Sequence, residues 1–243
     1  MTINKPTITL VSSFATDRII QYGQLVRTQR GGPAYYLMTA FEKSSTQVNV
    51  ITGEEMVVDI LISKKSGEHG RINGNKAIQP LPEIKSPNVV VSTLLQEWEL
   101  TSVINYPGRV FVDIQGYVRD GSDFGKKKYW QEKECVNDKI FCMKGTSEEM
   151  TYVPESQLKK QKGKMLVVTK GKEGVEAYYK GKNYEFRPRH VIRSKYAIGA
   201  GDTFFANFVS RFVKTGDFSG SIEHAMDKTS ELLESLKFNL DFA

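Results

Sequence analysis

The stretch Ile198-Gly199-Ala200-Gly201-Asp202-Thr203-Phe204-Phe205-Ala206-Asn207-Phe208 runs from small residues straight into an apolar helix. At such a junction the first N–H groups of the helix have no intrahelical partner and the helix dipole is positive, so the turn is an anion site. Glycines at 199 and 201 let the backbone take positive φ and approach a phosphate closely. Asp202 is out of place in a pure phosphate cradle, because its own charge repels phosphate. Two readings follow. Asp202 is a helix cap, or its carboxylate takes a proton from an attacking hydroxyl while the neighbouring amides hold the phosphoryl group in transfer. A Gly-x-x-x-x-Gly-Lys-Ser/Thr loop is absent from the sequence, and no Gly-x-Gly-x-x-Gly follows the first strand, which weakens a dinucleotide reading.

Outward from this turn, short β-branched runs alternate with helical stretches, the pattern of a parallel sheet covered by helices. The predicted class is α/β. Strands are expected from Ile8 to Val11, Val48 to Thr52, Val89 to Val91, Val110 to Ile114, Ile140 to Met143 and Met165 to Thr169. Several are almost continuously apolar, as strands buried on both faces are. Helices are expected from Ala34 to Lys43, Leu94 to Asn105, Gly125 to Glu134 and Glu155 to Gln161, and again from Thr203 to Val213 and Ile222 to Leu236. Val175 to Tyr179 and Tyr184 to Phe186 flank Lys180-Gly181-Lys182 as a hairpin. Gly23 to Arg30, and Ser63 to Gln79 with Gly67, Gly70 and Gly74, break the alternation. They read either as lid elements standing off the main sheet or as surface loops.

At 243 residues the chain is expected to form a single domain, 1–243, with lid elements near 18–30 and 60–80. Hydrophobic residues make up 40% and charged residues 26%, the balance of a globular protein with a substantial core. No apolar run is long enough to span a membrane and no leader pattern opens the chain, so a cytoplasmic location is expected. Two cysteines, Cys135 and Cys142, cannot build a disulfide framework, and three scattered histidines do not make a zinc site. The net charge of +6 fits either solubility or attraction for a polyanionic substrate. Lys126-Lys127-Lys128 is followed by Glu132 and Glu134, which reads as a solvated helix face rather than a nucleic-acid platform.

Gly199-Ala200-Gly201-Asp202-Thr203-Phe204 resembles, residue for residue, the C-terminal signature of the PfkB (ribokinase-like) family of sugar and nucleoside kinases. Two further elements match that family in order: Gly31-Gly32 opening an early helix, and Thr169-Lys170-Gly171-Lys172-Glu173-Gly174 after a strand. The resemblance implies a three-layer α/β/α fold with a mostly parallel sheet and a reduced β lid. It implies Asp202 as base and Gly199, Ala200 and Gly201 as the anion hole. Thr169, Lys170, Gly171 and Gly174 would contact ATP. Asp17, Gly31, Gly32, Tyr36 and Arg119 would meet the acceptor together with Asp202, and Lys144 could, like Arg119, place positive charge near the phosphate. Glu149, in Thr146-Ser147-Glu148-Glu149, falls on the family's Asn-x-x-Glu element that organises Mg²⁺, with Thr146 in place of the Asn; the same four residues read equally as a capping box. Tyr196 and Ile198 stand where the family usually has Asp and Thr, which puts a monovalent-cation site in doubt. Phe111 to Arg119 and Gly31 to Tyr36 look most like the inositol-kinase branch of plants and archaea. The resemblance thus implies ATP and Mg²⁺ as cofactors and a sugar or polyol acceptor, with no nucleic acid or membrane partner and a monomer or homodimer. A nucleoside kinase, or a regulator that binds without catalysis, are the alternatives.

Overall fold

The structure is a computed structural model and describes residues 7–63, 67–72, 77–121, 123, 126–192 and 197–238. In chain order its strands are β1 (Ile8–Ser12), β2 (Ala15–Gln21), β3 (Gln24–Gly31), β4 (Val48–Thr52), β5 (Met56–Ser63), β6 (Gly67–Ile72), β7 (Gln79–Pro80), β8 (Asn88–Ser92), β9 (Trp98–Glu99), β10 (Arg109–Asp113), β11 (Ile140–Thr146), β12 (Met165–Thr169), β13 (Val175–Tyr179) and β14 (Lys182–Phe186). The helices are α1 (Gly32–Lys43), α2 (Glu134–Lys139), α3 (Ser147–Met150), α4 (Glu155–Gly163), α5 (Ala200–Thr215) and α6 (Phe218–Phe238).

Eight strands form the main sheet in the order β14-β13-β12-β11-β10-β8-β1-β4, parallel from β4 to β12, with β13 and β14 added antiparallel at one edge. Both faces are covered because successive residues of each apolar run point opposite ways. Ile8, Leu10, Val90, Phe111, Met165 and Val167 join the core beneath α1, α5 and α6. Val11, Val89, Val91, Val110, Val112, Leu166 and Val168 join the second core, which packs on Trp98, Leu100, Val136 and Met150. Phe41, Phe111, Phe205 and Phe208 are fully buried, each worth about 1.5–3 kcal/mol of burial.

The chain leaves β1 toward one edge of the sheet through β4 and returns across it through β8, β10, β11 and β12. The reversal falls between β1 and β8, and the crevice beyond the carboxyl ends of strands at such a switch point is where open α/β sheets hold ligands. Over it stands a second sheet, β3-β2-β5-β6, whose apolar side gathers Ala15, Ile19, Met56, Val58, Ile60 and Ile72 with Leu94 from the main body, and Ile198 against them. Of the segments expected to stand off the main sheet, 23–30 gives β3 of this second sheet and 63–79 gives its β6, with 64–66 and 73–76, Gly74 among them, outside the described residues.

Two expected helices do not form. Over Leu94–Asn105 the apolar spacing suits a helix, but Glu97 Oε1 accepts the Leu94 N–H at 3.0 Å, Gln96 takes positive φ and Trp98 pairs in β9, leaving only a 3₁₀ turn at Leu100–Val103. Over 125–134, Gly125 lies outside the described residues, and the rest is extended: Lys127 bridges Arg119, Lys128 N–H donates to Val118 O, and the helix starts only at Glu134. With Tyr129 and Trp130 as its only large apolar side chains, this charged run has no stripe for a helix to bury. The lysine run is therefore not a helix face. Lys128 is half-buried and donates to Gln96 Oε1 at 2.6 Å. Among the described residues no helix is long and apolar enough to cross a membrane.

Candidate active site

Helix α5 begins at the switch point with Gly199 as its N-cap residue at φ +77°, a left-handed conformation in which a Cβ would also overlap the Tyr36 ring. Among the described residues no side chain caps the helix. Ala200 N–H donates to Ala197 O at 3.0 Å and Thr203 N–H to Gly199 O at 2.9 Å, while among the described residues the N–H groups of Gly201 and Asp202 have no partner. Of the residues expected to form the anion hole, Ala200 has its N–H committed to Ala197 O, and the orphan donors at this helix start are those of Gly201 and Asp202. The capping alternative for Asp202 fails, since Asp202 is the third helical residue and its carboxylate makes no capping hydrogen bond to the helix. Its Oδ1 accepts from Ser92 Oγ at 3.4 Å and from Gln115 Nε2 at 3.3 Å. Burial raises its pKa above the ordinary carboxylate value against the pull of Lys144, Arg119 and these two hydrogen bonds.

Across the crevice Asp17 lies on β2, 3% exposed. Its carboxylate packs so closely over Gly31 that a Cβ there would occupy its place, and Gly32 at φ +78° lets the start of α1 lie against the Ser13 carbonyl. The pair of glycines thus lets Asp17, the link from β1 to β2 and the start of α1 lie together. Burial first, and then the charge of Asp202, push the Asp17 pKa up to about 7. Two buried carboxylates that feel each other's charge are a setting in which one proton is readily shared or moved.

Beneath the nest, Lys144 on β11 is 3% exposed and donates to Asp113 Oδ2 on β10 at 2.6 Å. A methyl group at Gly201 would come within 3.1 Å of its Nζ, so the ammonium lies against Gly201 in the first turn of α5. Burial lowers the lysine pKa, but Asp113, Glu149 and Asp202 outweigh it and hold the group charged. Burial, against Lys144, pushes Asp113 up to about 6. Asp113 Oδ1 also accepts the Gln115 N–H at 3.2 Å, fixing the turn after β10.

The Thr146 to Glu149 capping box is formed: Thr146 N–H donates to Glu149 Oε2 at 2.8 Å and Glu149 N–H to Thr146 Oγ1 at 3.2 Å. One carboxylate oxygen of Glu149 is committed to the cap and one is left. Among the described residues no three His, Cys, Asp or Glu side chains gather as a metal cage. That donor set fits Mg²⁺ held mostly by phosphate oxygens and water, with a single carboxylate in support.

Thr169 is the register partner of Thr146, so the loop that follows β12 adjoins the same edge. There Gly171 and Gly174 adopt φ +55° and +104° around a single 3₁₀ turn, and Lys170 is paired with Glu176 at 2.6 Å. Arg119 donates to Leu94 O at 3.2 Å and to Gln115 Oε1 at 3.4 Å. Tyr36 packs on Gly199, edge-on to the ring of Tyr35. Of the two departures from the signature that the sequence resembles, Ile198 packs toward the second sheet's core and Tyr196 lies outside the described residues. Ser92, Asp113 and Gln115 belong to the constellation and were not singled out by sequence. The available signal was a polar or charged residue closing a fully apolar strand, as in Val89-Val90-Val91-Ser92 and Val110-Phe111-Val112-Asp113.

Among curated proteins, none matches the chain's sequence significantly. The family model described as pfkB family carbohydrate kinase matches residues 136–228, from α2 into α6. A pyrophosphate-dependent kinase of the ribokinase family, complexed with a pyrophosphate analog and myo-inositol, is similar in structure with TM-score 0.68 and 18% identity, over 93% of this chain and 95% of that one. Methanocaldococcus jannaschii nucleoside kinase, an archaeal member of the ribokinase family, has TM-score 0.68 and 17% identity over 94% and 92%. Arabidopsis thaliana ribokinase, complexed with ribose and ATP, has TM-score 0.66 and 15% identity over 94% and 93%. The switch-point crevice, the glycine turn at its mouth and the eight-stranded sheet below thus belong to a chain with the fold of the ribokinase-family kinases.

Proposed function

We propose that this chain is a phosphotransferase of the PfkB (ribokinase-like) family that moves the γ-phosphate of ATP to a hydroxyl of a sugar or polyol, with a myo-inositol-like acceptor. The observation that carries this reading is the meeting, at the switch point, of a buried carboxylate with the orphan amides of Gly201 and Asp202 and the Lys144 ammonium. A base and an anion hole on one helix turn are what attack by a hydroxyl on a phosphoryl group requires.

In this mechanism the acceptor hydroxyl lies between Asp202 and the γ-phosphorus. Its oxygen bonds to phosphorus as the bond to the β-phosphate oxygen breaks, its proton passes to the Asp202 carboxylate, and ADP leaves. A positioned base of this kind is worth about 10²–10⁴ in rate. The orphan amides of Gly201 and Asp202, with Lys144, hold the charge of the transferring group. Asp17, once ionised, accepts hydrogen bonds from acceptor hydroxyls, two at a time if they are vicinal. Gly31, Gly32 and Tyr36 shape the acceptor side, and Arg119 adds positive charge. The loop from Thr169 through Lys170 and Gly171 to Gly174 receives ATP. Mg²⁺, when bound on the phosphates with Glu149 in support, neutralises the donor's charge.

The similarity to a kinase complexed with myo-inositol supports the polyol acceptor, and the similarity to a nucleoside kinase favours a second reading with a nucleoside in its place. A panel of myo-inositol, ribose, adenosine and cytidine, each with Mg²⁺ and either ATP or pyrophosphate, tests the proposal. Transfer from ATP to myo-inositol or ribose is the expected result. Preference for adenosine or cytidine would replace the acceptor, preference for pyrophosphate would replace the donor, and binding without transfer across the panel would leave a regulator.

A further inference from the structure

We infer that Gln115 is a positioning residue for Asp202, held in place by Arg119, and that it selects Oδ2 as the oxygen that receives the acceptor's proton. The inference rests on the reading of Asp202 as base. Gln115 lies two residues beyond β10, in a turn fixed on every side. Its backbone N–H donates to Asp113 Oδ1 at 3.2 Å, the preceding Ile114 N–H donates to Lys144 O at 2.9 Å, and the following Gly116 accepts the Gln96 N–H at 3.1 Å. A Cβ on Gly116 would overlap Thr93, so only glycine lets this turn lie against the end of β8.

The side chain is fixed as firmly. Its Oε1 accepts from Arg119 Nη2 at 3.4 Å, which turns the Nε2 end toward Asp202 Oδ1 at 3.3 Å. Arg119 is itself anchored on the Leu94 carbonyl at 3.2 Å, and Leu94 belongs to the apolar cluster of the second sheet. Both hydrogen bonds to Asp202, from Ser92 Oγ and from Gln115 Nε2, end on Oδ1. Among the described residues Oδ2 has no donor, so it is the oxygen left to face a hydroxyl. A donor on one carboxylate oxygen also stabilises the ionised form, which a base requires before it can act. Gln115 does so without adding charge to a crevice already containing Asp17, Asp113, Glu149, Lys144 and Arg119.

The test compares Gln115→Met, which keeps the length and loses the amide, with Gln115→Glu and the parent. Carboxyl ¹³C titration, with Asp202→Asn to assign the signal, reads the proton on Asp202 without any substrate. Gln115→Met is expected to raise the Asp202 titration by about one unit, as loss of a hydrogen bond to a charged group does. With the donor and acceptor that turn over in the panel, kcat is expected to fall about tenfold with KM for the donor within twofold, and the acid limb of kcat/KM to move up by the same interval. Gln115→Glu, which keeps the shape but adds a carboxylate beside Asp202, is expected to move both further. An Asp202 titration and kcat unchanged in Gln115→Met would overturn the inference. If Asp202→Asn keeps full turnover, the kinase mechanism itself fails, whereas an inactive Asp202→Asn beside an unaltered Gln115→Met removes only the role given to Gln115.

Discussion

Asp17 shows how a residue's chemistry depends on neighbours far away in the chain. As a sequence letter it is a carboxylate near the end of the first strand. In the fold it is buried within the field of Asp202, which lies 185 positions later, and its pKa is pushed from 3.8 up to about 7. The folded protein therefore keeps this proton through a range of pH in which the unfolded chain has lost it. The stability that this gives is complete below about pH 3.8 and is lost as pH rises toward 7. Asp17→Asn should accordingly gain more stability at pH 8 than at pH 5, with a difference on the order of 2 kcal/mol. Urea denaturation at the two pH values measures it, and an equal effect at both would contradict the burial argument. The proposed catalytic residues differ in how well they could be read. Asp202 and its glycines form one local turn, so their spacing alone carries the chemistry. Ser92, Asp113, Gln115 and Lys144 are assembled by the parallel register of β8, β10 and β11, which pairs Asp113 with both Ser92 and Lys144. Nothing in any one of their local sequences announces the other three.

Among the elements, the first turn of α5 carries the largest part of the proposed mechanism. Its N-cap glycine is left-handed and in contact with Tyr36 of α1, so the nest is shaped by helix packing as well as by its own backbone. Gly199→Ala should cost about 1–2 kcal/mol for the left-handed backbone alone, with more for the overlap on Tyr36. Turnover should fall by roughly 10²–10³, the usual loss when one anion-hole donor is displaced. Thermal unfolding and steady-state rates check the two effects, and a variant that keeps both would show that the turn is not held as described. The strands were legible because an apolar β-branched run buried on both faces leaves a strong local trace. The helices expected at 94–105 and 125–134 failed for a related reason: apolar spacing or charge alone was asked to decide, while a carboxylate cap on Leu94 and the Arg119–Lys127 bridge settled the backbone instead.

For the whole molecule, we propose that the chain is one kinase domain with the four-stranded sheet as a lid over the crevice. Asp17 reaches the site from that sheet, and Leu94 and Ile198 join its apolar cluster from the main body. Calorimetry should then give one unfolding transition with equal calorimetric and van't Hoff enthalpies, and a separate early transition for the second sheet would contradict it. That sheet was the least legible part of the fold. Only its departure from the α/β alternation was visible, since pairing of β2 with the sequence-distant β5 leaves no local signal. The most direct test of the central claim is the turnover and ATP affinity of Asp202→Asn, measured with the acceptor that the parent protein phosphorylates. The account predicts that phosphoryl transfer falls by at least about 10²-fold while ATP binds nearly as before; transfer at the parent's rate would contradict it.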